Sequence, residues 1–543
     1  MIDNRVPEPG RKWIGVRPAR LRRAMASAGL IAAVVVPLSM VPAAAALGGT
    51  QILYVAANGS DVSNNCAVAS SPCATVGHAV AQAAAGDVIE VASGRYFEHS
   101  LTVGVSVTIE GSGAASTIID GQRQGQVMLV EPGAVVALTG LTIANGRSPG
   151  HAGAVENSGT LSLVHDRFVD DHATDPGGAI VNYTTITALA GDAFIGDGSS
   201  RYGGAVANFG SIALGQGDTF TGNVAQIGGG AIENDGSITS LDDSSFTANK
   251  SGYAGAVDNS GTIGDLSQDT FWGNDVSGYA GAVENVLGAT ISSVTNDTFA
   301  YNSVSNGLGQ GGALEQDGES AIGLLANDTI IHNHATIGGG IYNDSSTVAS
   351  VTGVIVAFNT GKQGANCENF NSDVADSGYN LESDAAASCG FSAGTHDLVG
   401  VNPLLRPLGS YGGPTLTAPP WPPSPVISGA PAGPCTVAAD QRGVPRPQPA
   451  GGRCDIGAVQ WAPPAPVSLA PSAGPPGGGT RVHIVGSGFT LSTEVTFGNT
   501  PARFWVLDDS DITAISPPGR ASEPVRVTDP DGRSAAILRF SYR

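Results

Sequence analysis

Positive charge is scarce in this chain. Its 543 residues include 25 Lys and Arg against 47 Asp and Glu, which gives a formal net charge of −22 at pH 7. An acidic surface repels the phosphates of nucleic acids and of anionic lipids, so neither is an expected partner. Aromatic residues are also few, at 6%, whereas glycines number 77. This composition suits a fold whose corners are filled by small residues.

Long apolar runs are confined to the N-terminus. Six basic residues between Arg11 and Arg23 precede an apolar run from Ala26 to Val41, and four alanines follow, ending at Ala46. This order is typical of a secretory signal, so we predict a signal peptide over residues 1–46. A retained membrane anchor is the alternative, but the small-residue end of the run favours cleavage. No later segment is apolar enough to span a bilayer, so no membrane insertion is expected after cleavage.

Cysteine is rare, with six in the whole chain. The even count and the predicted export favour three local disulfides paired in chain order. The expected pairs are Cys66–Cys73, Cys367–Cys389 and Cys435–Cys454, none of them within regular repeats. A zinc site is the alternative, but the spacing lacks CxxC pairs.

The most informative feature that the chain does have is a repeat. The motif Gly-Ala-apolar-x-Asn, with looser late copies, returns every 25 to 31 residues, starting at Gly153, Gly178, Gly204, Gly230, Gly255, Gly281, Gly312 and Gly339. A Phe-x-x-Asn motif is interleaved at the same period, beginning at Phe168, Phe194, Phe220, Phe246, Phe271, Phe299 and, with isoleucine, Ile330. Two interleaved motifs with one period indicate stacked structural units.

A unit of about 26 residues without a helical pattern suits one turn of a parallel β-helix made of roughly three short strands. We therefore predict an all-β fold with some ten turns between Leu53 and Val399, spaced ~4.8 Å apart. A propeller or sandwich of hairpins is the alternative, but those folds need longer alternating strands. The phenylalanines should stack inside the coil, and the motif asparagines, Asn157, Asn182, Asn208, Asn234, Asn259 and Asn285, should bond from turn to turn.

Segments of different composition flank the repeats. A helix over Thr75–Ala85 is predicted to cap the open strand edges, so that the β-helix and its cap occupy residues 47–400. Residues 401–460 are rich in Pro and Gly; we expect a structured tail, with a disordered linker as the alternative. A Pro-rich linker over 461–466 precedes a small all-β domain over 467–543, with strands expected at Arg481–Val485, Glu494–Phe497, Ile512–Ile515, Val525–Val527 and Ile537–Phe540.

Three segments resemble known families. Within 401–460, Tyr411–Thr417, Asp440–Pro447 and Cys454–Ala458 are similar to the end segment of choice-of-anchor Q domain proteins, which closes a right-handed β-helix on exported proteins. The repeats from Gly153 to about Asn359 resemble the GGA-I/L/V and FxxN repeats of chlamydial polymorphic outer membrane proteins, although the transporter barrel of that family does not follow. This resemblance implies a right-handed, pectin-lyase-like, single-stranded β-helix and a role in surface adhesion.

The C-terminal domain carries Gly477-Gly478-Gly479-Thr480, Gly486-Ser487-Gly488-Phe489, Pro517-Pro518 and Asp531-Gly532. These segments resemble the IPT/TIG immunoglobulin-like domain. The resemblance implies a small β-sandwich that acts as a spacer or a binding module, and it names no ligand.

Stacking would produce two acidic rows. One contains Glu156, Glu233, Asp258, Glu284 and Glu315, for which we expect a solvated face. The other contains Asp166, Asp192, Asp218, Asp269, Asp297 and Asp328, for which we expect corner residues that bond to their own backbone. The alternative for either row is calcium bound between carboxylates of adjacent turns, with Glu233, Asp258, Glu284 and Glu315 as the candidates; no other cofactor is indicated.

Catalytic signals are weak. Asp171 and Asp197 replace Asn in consecutive Phe-x-x-Asn motifs and form the best carboxylate pair for a glycosidase, but Asp can also substitute for Asn at a turn. Basic residues on the repeats are sparse, and no cluster of them is expected on one side. The longest step, around Ser303–Gln310, is the expected place for a cleft.

The sequence therefore favours a secreted or cell-surface protein, expected to be a monomer. We predict a non-catalytic adhesin or scaffold that binds an extracellular polysaccharide or a cell-surface ligand. A purely structural envelope component is the third hypothesis, after an enzymatic one. A polysaccharide lyase or glycoside hydrolase is the enzymatic alternative, disfavoured because enzymes on such a fold usually interrupt the repeat with long loops that form a cleft.

Overall fold

The computed structural model describes residues 50–307, 309–448, 450–507, 509–529 and 538–543. The predicted signal peptide, residues 1–46, lies outside the described residues. The described chain forms a coil of parallel strands followed by a small, mainly antiparallel domain. The parallel β-helix predicted from the repeat is therefore confirmed, with about 11 turns.

Two sheets of the coil begin at its N-terminal end. Sheet A contains Ile52–Val55, Asp87–Val91, Val107–Gly111, Val135–Thr139, Thr160–Val164, Thr185–Ala190, Ser211–Ile212, Gly215–Gln216, Ser237–Asp242, Thr262–Ser267, Thr290–Thr295, Ala321–Ala326, Thr347–Thr352 and Asp373–Asp376. Sheet B contains Gly94–Phe97, Thr117–Asp120, Thr142–Ala144, Arg167–Val169, Ala193–Ile195, Thr219–Thr221, Ser245–Thr247, Thr270–Trp272, Thr298–Ala300, Thr329–Ile331, Ile355–Ala357, Leu381–Glu382 and Leu398–Val399.

Two further sheets complete the coil, and the second of them has a strand in seven of its turns. Sheet C contains Leu101–Val103, Met128–Val130, Val155–Asn157, Ile180–Asn182, Val206–Asn208, Ile232–Asn234, Val257–Asn259, Val283–Asn285, Leu314–Asp317, Ile341–Asp344 and Cys367–Phe370. Sheet D, between sheets B and C along the chain, contains Arg147–Ser148, His172–Ala173, Gly198–Ser199, Val224–Ala225, Lys250–Ser251, Asp275–Val276 and Ser303–Val304. The sequence predicted about three strands per turn and missed sheet D, because two-residue strands are too short to show alternation.

The Phe-x-x-Asn motif places its phenylalanines inside the coil, as predicted. The rings of Phe168, Phe194, Phe220, Phe246, Phe271 and Phe299 are fully buried and stack with centroids 4.6–4.8 Å apart. Parallel pairing in sheet B fixes this register, since each phenylalanine lies opposite the next one. The ladder therefore follows directly from the repeat period.

The Gly-Ala-apolar-x-Asn motif forms a second interior ladder. From Asn157 to Asn285, each Nδ2 donates to the Oδ1 of the asparagine one turn on, at 2.7–2.8 Å. Gln316 and Asn343 continue the same line of amides. These amides are buried, and their bonds to one another offset the cost of removing them from water.

The N-terminal end of the coil is covered by a helix over Val76–Gln82, shorter than the predicted Thr75–Ala85. Thr75 caps it by accepting a hydrogen bond from the backbone N–H of His78 at 3.1 Å. The carboxylate of Glu98 accepts the N–H groups of Val76 and Gly77, both at 2.7 Å. The helix is therefore tied to the first turns and packs its buried residues on their core.

All three predicted disulfides are present: Cys66–Cys73, Cys367–Cys389 and Cys435–Cys454. One expectation about their placement is wrong, because Cys367 begins the last strand of sheet C and so belongs to a regular turn. Cys389 and the neighbouring Phe391 are buried with the core of the coil. This disulfide therefore helps to cover the C-terminal end of the coil.

The tail, residues 401–460, lies along the outer side of sheet B rather than over the end of the coil. Ala418, Val426 and Ile456 pack in one buried cluster with Ile331 and Ile355 of sheet B. Polar contacts extend this docking along several turns.

Gln441 makes several of those polar contacts. Its Nε2 donates to the carbonyl of Asp269 at 2.9 Å, and its Oε1 accepts from the Thr298 hydroxyl at 2.6 Å. Further along the coil, the backbone N–H of Gly457 donates to the carbonyl of Gly353 at 2.7 Å. The tail is therefore an ordered part of the fold, as expected. It covers the outer surface of sheet B in the turns between Asp269 and Gly353.

The C-terminal domain has two sheets. One contains Ser468–Ala470, Arg481–Val485, Asp511–Ile515 and Arg503–Val506, and the other contains Ala473–Gly474, Leu538–Tyr542, Ser522–Thr528, Glu494–Phe497 and Thr500–Pro501. Their inner faces enclose a core that includes Val482, Phe489, Val525 and Phe540. Within the segment predicted as a linker, the N–H of Ala465 donates to the carbonyl of Ser487 at 2.8 Å. That segment is thus already paired with the domain.

Candidate functional site

The two catalytic candidates, Asp171 and Asp197, are fully buried inside the corner between sheets B and D. The Oδ1 of Asp171 accepts from the N–H of Gly146 at 2.6 Å, and the Oδ1 of Asp197 accepts from the N–H of Asp171 at 2.9 Å. The N–H of Asp197 in turn donates to Asn223 Oδ1 at 2.9 Å. The pair therefore forms the first two steps of the Phe-x-x-Asn column and does not face a substrate.

Burial raises the pKa of both carboxyls well above the ordinary value, and the Asp197 charge adds to the effect at Asp171. Their Oδ2 atoms have no hydrogen-bond partner when both acids are ionised. An acid in this position is stabilised by keeping its proton. Both residues are consequently structural substitutes for asparagine.

The aspartate row at the corner between sheets A and B is also structural, and its carboxyls accept from their own corner as expected: the N–H of Val164 donates to Asp166 Oδ2 at 3.2 Å and that of Ala190 to Asp192 Oδ2 at 3.0 Å. The backbone N–H of Asp166 donates to Asp192 Oδ1 at 2.7 Å, and the N–H of Asp192 donates to Asp218 Oδ1 at 2.8 Å. Asp192 and Asp218 thus also accept from the preceding turn, which the sequence did not predict. The row joins successive turns.

The glutamate row was expected to be solvated, and that expectation is wrong for the four calcium candidates. Glu233, Asp258, Glu284 and Glu315 are at most 2% exposed, although they lie on the outer face of sheet C. The loops before each Gly-Ala motif fold over this face: at Gly228, a Cβ atom would contact the carboxyls of Glu233 and Asp258.

Calcium binding at this row stays a prediction. Each turn carries one of these carboxylates, so three consecutive ones span ~10 Å along the coil. A single calcium ion could therefore be shared only by carboxylates of two neighbouring turns. Among the described residues, a set of three close metal-ligating groups occurs at Cys66, Cys73 and His78. The two cysteines there are joined in a disulfide, so they are not thiolate ligands.

The sequence expectation that basic residues form no cluster is wrong at one corner. Arg147 and His172 are register partners in sheet D, one turn apart. The N–H of Arg123 donates to the carbonyl of Asn145, which places Arg123 one turn before Gly146, the neighbour of Arg147. Burial lowers the pKa of His172, and the charges of Arg147 and then Arg123 lower it further, while Asp170 raises it. The signal was present in the sequence, because Arg147 and His172 are separated by one repeat period.

At this corner, between sheets B and D, the residues in the middle of the coil have no side chain or only a methyl group. Backbone hydrogen bonds align one residue per turn at the corner: Gly121, Asn145, Asp170, Gly196, Gly222, Ala248, Gly273, Tyr301, His332 and Phe358. Four consecutive positions are therefore Gly or Ala. A Cβ atom at Gly222 or Gly273 would have nothing within 4 Å. We call the stretch from Asp170 to Tyr301 the open corner; its five steps span ~24 Å.

The end of the open corner that lies toward the C-terminal turns of the coil is aromatic. The rings of Tyr301, His332 and Phe358 stack with centroids 5.1 and 5.2 Å apart. Tyr301 is 46% exposed, and Trp272, which precedes Gly273 in sheet B, is 40% exposed. Burial lowers the pKa of His332, which favours a neutral ring in this stack. The open corner thus has basic groups at one end and aromatic groups at the other.

The open corner offers binding chemistry more than catalytic chemistry. Asp170 and Lys250 lie at or beside it and are exposed, and Ser303 Oγ donates to Asp275 Oδ1 at 2.7 Å on neighbouring turns of sheet D. The insertion expected to form a cleft packs instead on the coil, since the N–H of Thr336 donates to the carbonyl of Gly309 at 2.9 Å.

A second concave region lies where the tail meets the C-terminal domain. It has a volume of about 320 Å³ and is lined by Arg442, Val444, Gln448, Ser487 and Asp509, among others. Arg442 already donates to Asp440 Oδ2 and to the carbonyl of Gln460, both at 2.8 Å. Its charge therefore serves the junction between tail and domain.

Helices of the described chain are all too short or too polar to cross a membrane. No curated protein sequence matches the chain. Among solved structures, it is similar to one titled rhamnogalacturonan lyase, with 11% sequence identity and a TM-score of 0.33, over 61% of this chain and 87% of that chain. A similarity this distant carries no argument about activity.

The C-terminal domain has a specific match. Residues 464–542 match the family model of the IPT/TIG domain. The match begins within the segment 461–466 that already pairs with the domain. The chain is therefore a parallel β-helix followed by an IPT/TIG domain.

Proposed function

We propose that the protein is an exported, non-catalytic scaffold that binds an extracellular polysaccharide along the open corner. The observation that carries this proposal is the run of Gly196, Gly222, Ala248 and Gly273, which leaves a side-chain-free path along several turns. A linear polymer fits such a path because both repeat along one axis. The three disulfides support an exported protein, since such bonds persist in oxidising compartments.

The charge distribution favours a polymer with some acidic groups. Arg123 and Arg147 are exposed at the upper end, and Lys250 is exposed beside the middle of the path. They are a concentration of positive charge in a chain whose net charge is −22. Uronate carboxylates would pair with them, whereas nucleic acid would be repelled by the rest of the surface.

We expect the double variant Arg123→Gln/Arg147→Gln to bind an acidic polysaccharide at least about tenfold more weakly, a loss of ~1.4 kcal/mol. The matched control is Arg167→Gln, because Arg167 is an exposed arginine of the neighbouring sheet B. Affinity electrophoresis in gels containing pectate, alginate or neutral glucan measures the change. Equal weakening by both variants would show that only general charge matters, and binding of none of the polymers would remove the proposal.

A lyase or hydrolase is the second candidate function, favoured by the position of Asp170 and His172 beside Arg147. A reducing-sugar assay and an absorbance assay for unsaturated products, run on the same polymers, test it. Product release by the wild type that is lost in His172→Gln would replace the scaffold proposal with an enzymatic one.

A further inference from the structure

We infer that Tyr301 forms a stacking site for one sugar ring of the bound glycan, in the space at Gly273, the corner residue of the preceding turn. This inference rests on the proposed function and adds the place and chemistry of one subsite. Tyr301 is the last ring of the aromatic stack. His332 covers one of its faces, with the two ring planes 12° apart. The opposite face is therefore directed toward the preceding turn, where the corner residue is Gly273.

The space at Gly273 has the dimensions of one more ring. The stack advances 5.1–5.2 Å per turn, so the next ring position lies one turn above Tyr301. A Cβ atom at Gly273 would contact nothing within 4 Å. A planar or nearly planar group of ring size can thus continue the stack without displacing any side chain of the corner.

The surroundings of this space match a sugar better than another ring. Aromatic faces attract polarised C–H groups, which a pyranose presents on its flat side. Asp275 and Ser303 lie on the adjoining strands of sheet D, and their mutual hydrogen bond uses only Asp275 Oδ1. Asp275 Oδ2 is therefore available to accept from a sugar hydroxyl. A nucleobase also stacks, but its phosphates are repelled by a chain of net charge −22.

Trp272 gives the site a second apolar surface. It precedes Gly273 and is exposed on sheet B, whereas Phe271 before it is fully buried. Ligand sites commonly combine such aromatic side chains with a few polar groups that fix orientation. Trp272 and Asp275 lie one residue before and two residues after Gly273, and Tyr301 follows one turn later, so two exposed aromatic side chains and one acceptor flank the position.

The experiment uses the full chain and oligosaccharides of four to six residues, one series of neutral glucans and one of oligogalacturonates. We expect Tyr301→Ala to weaken binding at least tenfold by isothermal titration calorimetry and Tyr301→Trp to restore it. Gly273→Phe should also abolish binding, because the new ring fills the space. The corner tolerates side chains, since Ala248, Tyr301 and His332 share its positive φ, 54–58°.

The control variant is Tyr183→Ala. Tyr183 is 38% exposed and stacks on Phe209 at 5.7 Å, but it lies at the corner between sheets C and A. It should leave binding unchanged. If the wild-type protein binds neither series, the proposed function itself is contradicted. Normal wild-type binding that survives both Tyr301→Ala and Gly273→Phe would overturn the stacking site while leaving the proposed function intact.

Discussion

Two opposite substitutions in the Phe-x-x-Asn column, asparagine to aspartate at one position and aspartate to asparagine at another, should change the free energy of unfolding in opposite directions. At pH 8, we expect Asn249→Asp to lower the free energy of unfolding by at least about 3 kcal/mol. We expect Asp197→Asn to raise it by about 1–3 kcal/mol. Both positions are fully buried in the same column of side chains.

The difference follows from what each amide nitrogen contacts. Asn249 Nδ2 donates to Phe220 O and to Asn274 Oδ1, both at 3.0 Å. An aspartate there would direct an oxygen at two acceptors, either as an uncompensated charge or with one proton for two partners. The Oδ2 of Asp197 is buried with no hydrogen-bond partner, and we expect an asparagine amide there to donate as that of Asn249 does.

Urea denaturation at pH 8 and pH 3.5 measures both effects. Near pH 3.5 a carboxyl is largely protonated even in the unfolded chain, so both effects should shrink. Glu90→Gln is the control, since Glu90 is exposed on sheet A and should change stability little. Destabilisation by Asp197→Asn at pH 8 would mean that the carboxylate has a favourable partner, and the assignment as a substitute asparagine would fail.

The parts of this fold that sequence could predict are those set by the repeat period. Phe220 and Phe246 are one period apart, and parallel pairing then requires their rings to meet. The disulfides were predictable because each pair is close in the chain. These inferences need only local spacing.

The parts that sequence missed depend on how the outside of the coil is covered. Glu233 looks like a surface residue in its strand, and only the loop at Gly228 explains its burial. The docking of Gln441 on Thr298 joins residues far apart in the chain with no shared motif. Arg123 was overlooked because it precedes the first full motif, so its position around the coil could not be counted from the repeat.

The wild-type protein should become less stable as pH rises, the reverse of the usual behaviour of carboxylates. Between pH 5 and pH 8.5, we expect the free energy of unfolding to fall by at least about 3 kcal/mol. Burial raises the pKa of Asp166 to about 8, helped by the charge of Asp192, and raises the pKa of Asp192 itself to about 7. The pKa values of Asp218, Asp269, Asp297 and Asp328 are also raised well above the ordinary value by burial.

The direction of the effect follows from proton binding. Between the ordinary pKa near ~3.9 and the raised folded values, the folded chain holds protons that the unfolded chain has released. The contribution to stability is therefore complete below about pH 4 and is lost as pH rises through the folded pKa values, at ~1.4 kcal/mol per carboxyl and pH unit. Ion pairs offset little of the increase in these pKa values, although the charge of Arg446 does lower the pKa of Asp328.

Urea denaturation at constant ionic strength across this range gives the slope, and calorimetric unfolding in buffers of different ionisation enthalpy counts the protons released. Asp269→Asn is the matched variant, because its Oδ1 still accepts from the N–H of Ser244 while one titrating group is removed. It should reduce the slope and leave stability near pH 4 almost unchanged. Stability that stays constant between about pH 5 and pH 8.5, or unfolding that releases no protons near about pH 6, would show that these carboxylates are already ionised in the folded chain and hold a cation or another donor.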